Sequence, residues 1–115
     1  MAIVSKNNSL QHYTWGNACD GWVLVDTPSL SVKQEKMPTQ TSEVLHYHSN
    51  AQQLFFILNG IATFEVEEEY FIVHSGEGFL IEAGKKHRIL NNNSEVLEFI
   101  LSSQPSTNND RFNCT

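Results

Sequence analysis

The chain has 115 residues, 13 of them acidic against 7 basic, for a formal net charge of -6. That length supports one domain with a modest core. An acidic balance without a basic run speaks against nucleic acid or an anionic membrane surface as a partner. Its apolar runs are too short to span a bilayer as a helix. The opening MAIVSKNNSLQ lacks the hydrophobic stretch of a secretory signal, so a cytoplasmic protein is expected. Cys19 and Cys114 sit in no CxxC arrangement and read as two free thiols.

In chain order, residues 1–20 read as a polar, irregular N-terminal segment. Residues 22–26 (WVLVD) form a strand candidate, closed by Thr27-Pro28, and residues 30–37 (LSVKQEKM) alternate loosely as another. Residues 43–48 form a strand that carries His46 and His48. Positions i and i+2 of a strand share a face, so both imidazoles look the same way. Residues 53–58 follow, and then Asn59-Gly60, a dipeptide suited to a type I′ hairpin. Residues 61–66 make the next strand.

The tract EVEEEY places acids at 65, 67, 68 and 69 and reads as a solvated hairpin tip rather than a cation site. Residues 70–74, 79–81, 87–91 and 95–101 complete about nine short strands, separated by glycine- and asparagine-rich turns. His74 ends a strand beside a turn and reads as a surface residue; His12 lies in the N-terminal segment. Turn signals every 8 to 12 residues, with no helical period, mean an all-β sandwich or barrel spanning residues 21–103. Residues 104–115 read as a polar tail, mostly loop.

Two spaced patterns carry the chemistry. The first is His46-x-His48, four residues, Gln53, six residues, Gly60. The second is Gly76, then Gly84, His87 and Asn91. Together they resemble the two motifs of the cupin superfamily, G-x5-HxH-x3-4-E-x6-G and G-x5-PxG-x2-H-x3-N. The match is good over residues 43–101 and looser outside them. The interval between the motifs is short, as in small single-domain bacterial cupins. This chain has Gln53 where the family has glutamate, and Glu82 where it has proline. It also lacks the first glycine, near Thr39 to Thr41.

The resemblance implies a double-stranded β-helix (jelly-roll) barrel. It also implies one divalent transition metal, Zn, Ni, Fe or Mn, held by His46, His48, Gln53 and His87. Glutamine would bind through a neutral carbonyl oxygen, so the ligand set would carry no charge to offset the cation and a bound oxygen donor would be held and acidified more strongly. Alternation from these ligands places Phe55, Ile57 and Ile89 inward, with Phe64, Phe79 and Phe99 as further wall or core residues. Gln34, Glu35 and Glu98 are weak candidates for an acid or base, their facing left open by the sequence.

The expected function is a metal-dependent enzyme on a small molecule, with the metal as Lewis acid in isomerase, lyase or sugar ring-opening chemistry. A similar three-histidine-plus-glutamine set occurs in small cupins that linearise unsaturated uronates. Those proteins use an acid and an arginine on or after the last strand; here only Asp110 and Arg111 come near. A metal-dependent dioxygenase is the alternative, disfavoured because no carboxylate completes a two-histidine, one-carboxylate triad. A non-enzymatic binder of metal and small ligand is the alternative from another class. Small cupins commonly pair, so a homodimer is expected.

Overall fold

The computed structural model describes residues 1–114, almost all of whose regular structure is β-strand. After a single 3-10 turn, Lys6–Asn8, come β1 (Gln11–Trp15), β2 (Cys19–Thr27), β3 (Leu30–Met37), β4 (Thr41–Ser42), β5 (His46–Tyr47) and β6 (Gln52–Asn59). These are followed by β7 (Ile61–Val66), β8 (Glu69–His74), β9 (Gly78–Ile81), β10 (His87–Asn91), β11 (Leu97–Gln104) and β12 (Phe112–Asn113). Among the described residues no helix is long and apolar enough to cross a membrane.

The strands form two antiparallel sheets. One runs β1-β2-β3-β11-β6-β9 and the other β12-β5-β10-β7-β8, with β4 also on β10. Neighbours distant in sequence, such as β3 with β11 and β5 with β10, wind the chain into the expected double-stranded β-helix. The period of 2 decides what is buried. Along β6, Gln53, Phe55 and Ile57 point in while Leu54, Phe56 and Leu58 point out. Along β11, Leu97, Phe99, Leu101 and Ser103 point in. Phe55 and Phe99 from one sheet meet Phe64 from the other, with Phe55 5.0 Å from Phe64 and 5.5 Å from Phe99 between ring centroids. Ile57, Ile89, Leu97 and Met37 pack around them.

Four expectations need correction. Residues 1–20 are not irregular throughout, because Gln11–Trp15 pairs along β2 from Gln11↔Val23 to Trp15↔Cys19. The expected strand over residues 43–48 is broken: β5 holds only His46 and Tyr47, and His48 lies just beyond it. The polar tail contributes β12, whose Phe112 and Asn113 pair with Tyr47 and His46; Thr115 lies outside the described residues.

The Asn59-Gly60 pair joins no hairpin. β6 belongs to one sheet and β7 to the other, so this is a corner between sheets. Gly60 has φ +85° and lies so close to the chain that a Cβ would stand 2.6 Å from the Val96 carbonyl oxygen. Glycine is needed for that approach as much as for the turn.

A two-residue hairpin with positive φ at both central positions does occur, at Glu67 (49°) and Glu68 (71°) between β7 and β8. The acidic tract is thus a solvated hairpin tip, as read from its composition.

Candidate metal centre

His46 and His87 face each other directly in the antiparallel register of β5 and β10. His48 follows β5, and Gln53 reaches in from β6 on the opposite sheet. All four are buried, between 1 and 4% exposed. The ring centroids of the three imidazoles lie 4.4 to 5.5 Å apart. One ring nitrogen from each forms a set within 4.8 Å of one another, close enough to share a metal ion.

The backbone fixes which nitrogen faces inward. His46 Nδ1 lies 2.8 Å from the Val44 carbonyl oxygen, His87 Nδ1 2.8 Å from that of Lys85, and His48 Nδ1 2.6 Å from that of Asp110. A carbonyl oxygen only accepts, so each Nδ1 carries the proton and donates. The Nε2 atoms of the neutral rings then present lone pairs, the arrangement in which histidine binds metal. Neutrality is secured by burial, which lowers the His46 pKa to about 3, lowers that of His87 to about 4, and depresses that of His48.

Two contacts fit a cation at this point. His48 Nε2 is buried without a hydrogen-bond partner among the described residues. Gln53 donates its Nε2 to Ser103 Oγ at 3.0 Å, which turns its Oε1 to within 3.1 Å of His87 Nε2. With the His87 proton on Nδ1, that contact brings two lone-pair atoms together. A metal ion accepting from both resolves it. With its oxygen on this side, Gln53 could supply a fourth, neutral donor.

A cavity of about 260 Å³, lined by none of the four donors, lies on the Nδ1 side of His46, bounded among others by Tyr13, Lys33, Glu35, Glu43 and Arg111. Glu43 Oε1 stands 3.8 Å from His46 Nδ1, and Glu43 Oε2 3.5 Å from Arg111 Nη1. Burial, opposed by Arg111, raises the Glu43 pKa to about 7. Burial also raises that of Glu35, against the hydrogen bond that the Tyr13 hydroxyl donates to it. Tyr13 reaches Glu35 by lying across β2 at Gly21, where any Cβ would collide with its ring, 2.1 Å from Cζ. Tyr13, Gly21 and Glu35 stand in one row across three strands.

Of the three weak acid–base candidates, only Glu35 points inward. Gln34 and Glu98 lie on the outer face, where Gln34 Nε2 donates to Glu98 Oε2 at 2.6 Å and Lys6 Nζ reaches the same oxygen at 2.9 Å. Phe55, Ile57, Phe64, Ile89 and Phe99 are core residues, each 2% exposed or less, while Phe79 packs at the core's edge. His74 sits beside Glu77 at the surface, as read from the sequence, and His12 pairs with Asp20, also at the surface.

Ser103, Tyr13 and Glu43 escaped the sequence reading. Ser103 could have been found by continuing the inward alternation of β11, and Tyr13 by seeing QHYTW as a strand.

A family model described as "Cupin domain" matches residues 33–103. Among solved structures, a single-residue variant of Streptomyces PAC13 with uridine aligns over 100% of this chain and 92% of its own, with TM-score 0.84 and 11% identity. KdgF from a Halomonas species aligns over 94% and 98%, with TM-score 0.82 and 15% identity. A predicted oxalate decarboxylase from Thermotoga maritima aligns over 91% and 100%, with TM-score 0.79 and 17% identity. These likenesses establish the fold. No curated protein matches the chain in sequence.

Proposed function

Since the chain belongs to the cupin family, with its domain over residues 33–103, we propose that it is an enzyme that uses one divalent transition metal as a Lewis acid on a small, oxygen-rich substrate. The observation that carries this reading is the convergence of three neutral imidazoles, each with its Nδ1 committed to a carbonyl, on a point that Gln53 Oε1 also faces. His46, His48, His87 and Gln53 would hold the ion. Imidazole with a carbonyl oxygen suits Zn, Ni, Fe or Mn. When bound, it would polarise a carbonyl or hydroxyl of the substrate.

The remaining groups supply what such chemistry asks of a protein. Lys33 and Arg111 line the cavity behind His46 together with Glu35 and Glu43, a charged and polar recess suited to oxygen-rich molecules. Glu35, held by Tyr13, and Glu43, which titrates near neutrality, are the two protonatable acids of that recess. An uncharged ligand set leaves the full charge of the ion for the substrate oxygen. It also lacks the carboxylate of the two-histidine, one-carboxylate oxygenase triad. Isomerisation, lyase chemistry or sugar ring opening is therefore favoured over dioxygenation. Two of the fold neighbours, one in complex with uridine and one named as a predicted oxalate decarboxylase, are associated with small oxygen-rich molecules.

Elemental analysis of tag-free protein is expected to find close to one transition metal per chain. Chelated protein that takes up none of Fe, Ni, Mn or Zn would sink the proposal. Gln53→Glu should keep a metal and shift its preference. Turnover of sugar acids, keto acids or hydroxy acids without oxygen uptake supports the Lewis-acid reading. Turnover with oxygen uptake replaces it with dioxygenation, and a metal-loaded protein inert toward the whole set is a binding protein. We further propose a homodimer, which a monomer mass by light scattering would refute.

A further inference from the structure

After β11 the chain turns back across the barrel and runs alongside the ligand strand. Asn113 pairs with His46, Phe112 with Tyr47, and Cys114 N donates to the Leu45 carbonyl at 2.9 Å. At the start of this return stands Asp110, an acid only 7% exposed. Its Oδ1 accepts the Ser49 N–H at 2.8 Å, and its Oδ2 accepts those of Asn50 at 3.0 Å and Ala51 at 3.1 Å. Its own carbonyl oxygen accepts the His48 Nδ1 proton at 2.6 Å.

Residues 49–51 form most of the short link between two proposed metal donors, His48 and Gln53. One residue thus collects three consecutive N–H groups of that link through its side chain and orients His48 through its main chain. A carboxylate does this with two oxygens and no proton of its own. Without it the three N–H groups lose their acceptor, and the Asp110 carbonyl loses its anchored place against His48. A histidine freed from that carbonyl can carry its proton on Nε2 instead, which closes the lone pair facing the site.

We propose that Asp110 is a positioning residue of the metal centre, its side chain fixing the His48–Gln53 link and its carbonyl holding His48 in the Nδ1–H tautomer. The proposal rests on the reading of His46, His48, Gln53 and His87 as metal donors. Partners of metal-bound histidines typically contribute 10- to 100-fold in metal affinity, so Asp110→Asn should weaken binding by about that factor. The amide keeps the shape of the carboxylate but replaces one acceptor oxygen with a donor.

The test uses chelated full-length protein titrated with Zn²⁺ and Co²⁺ in competition with a chromophoric chelator. Asp110→Asn and Asp110→Glu are compared with wild type and with Val73→Ala, a core truncation in β8 away from the site. The expected result is weaker binding and an altered Co²⁺ visible spectrum in Asp110→Asn. Val73→Ala should lose thermal stability yet bind within about twofold of wild type. Asp110→Asn that loses stability but matches wild type in affinity and spectrum makes the residue a structural latch only and overturns the proposal. A wild-type protein that binds neither metal overturns the metal-centre reading itself.

Nitrogen-15 NMR of the apo protein is independent of metal. His48 is expected as the Nδ1–H tautomer, and an Nε2–H His48 in wild type would overturn the assignment of its carbonyl partner.

Discussion

Two layers share the same strands of this barrel and follow opposite rules. Along β6 the inward positions step from Gln53 to Phe55 to Ile57; along β10, from His87 to Ile89; along β11, from Ser103 to Leu101 to Phe99. One end of each strand therefore contributes to a buried polar layer and the positions that follow to an aromatic and aliphatic one, which β10 closes with the buried, hydrogen-bonded Asn91. The apolar layer is held by area removed from water and by close packing, and tolerates shape-conserving change. The polar layer is held by partners assigned atom by atom: Nδ1 to a carbonyl, Gln53 to Ser103, Asp110 to three N–H groups. Truncation should cost stability in the first layer and chemistry in the second.

The sharpest test of that division is His87→Ala. It should abolish metal uptake measured by elemental analysis while leaving the β-sheet circular dichroism of the chelated protein intact. Phe99→Ala should do the reverse. Removing a fully buried ring is expected to cost about 3–5 kcal/mol in urea unfolding, with metal stoichiometry unchanged in the folded fraction. A Phe99→Ala protein that folds stably but has lost its metal would break the separation of layers.

Glu43 sits behind the polar layer, 3.8 Å from His46 Nδ1. Its folded pKa, about 7, lies above the ordinary glutamate value of 4.5. The fold therefore favours the protonated acid, and ionisation destabilises the native state progressively from about pH 4.5 to pH 7. Glu43→Gln removes that liability. The chelated variant should melt higher than wild type at pH 8, by a few degrees, and the gap should close as pH falls toward 5. A gap that instead widens in acid would contradict the sign.

The three histidines act oppositely. With pKa values depressed below 6.5, they bind fewer protons folded than unfolded, so their contribution to apo-protein stability is lost as pH falls below about 6.5. The smallest effect belongs to the solvated tip of the hairpin that follows Val66, the strand partner of His87. Glu68 holds φ 71° in the hairpin tip, a conformation that costs an L-residue about 1 kcal/mol, so Glu68→Gly should stabilise by up to about that amount and leave metal affinity unchanged.

Much of the second layer was legible in the chain. His46-x-His48, Gln53 and His87 stand at spacings that only a shared site explains economically, and the alternation of residues 53–57 fixed which side chains look in. The period of 2 failed where polar residues occupy both faces. In LSVKQEKM the burial runs through Ser31, Glu35 and Met37, and nothing local chooses between Gln34 and Glu35. That choice follows from β3 lying between β2 and β11, a fact about pairing rather than pattern.

The sequence by itself determined most of the strands between residues 22 and 101 and the inward phase of several of them, because alternation and turn chemistry are properties of neighbouring residues. The candidate donors were named through the resemblance of its two motifs to those of the cupins, and three of them, His46, His48 and His87, do converge in the fold. Only the tertiary structure decided that Asn59-Gly60 is a corner between sheets rather than a hairpin. Gly60 answers there to a carbonyl at Val96, 36 positions on. Only the tertiary structure brought Tyr13 over Gly21 to Glu35, and Asp110 to the link between His48 and Gln53, a separation of about 60 residues. Such contacts are made when a closed pair of sheets leaves buried N–H groups that need acceptors. The residue that answers them can stand anywhere in the chain that the closure brings near.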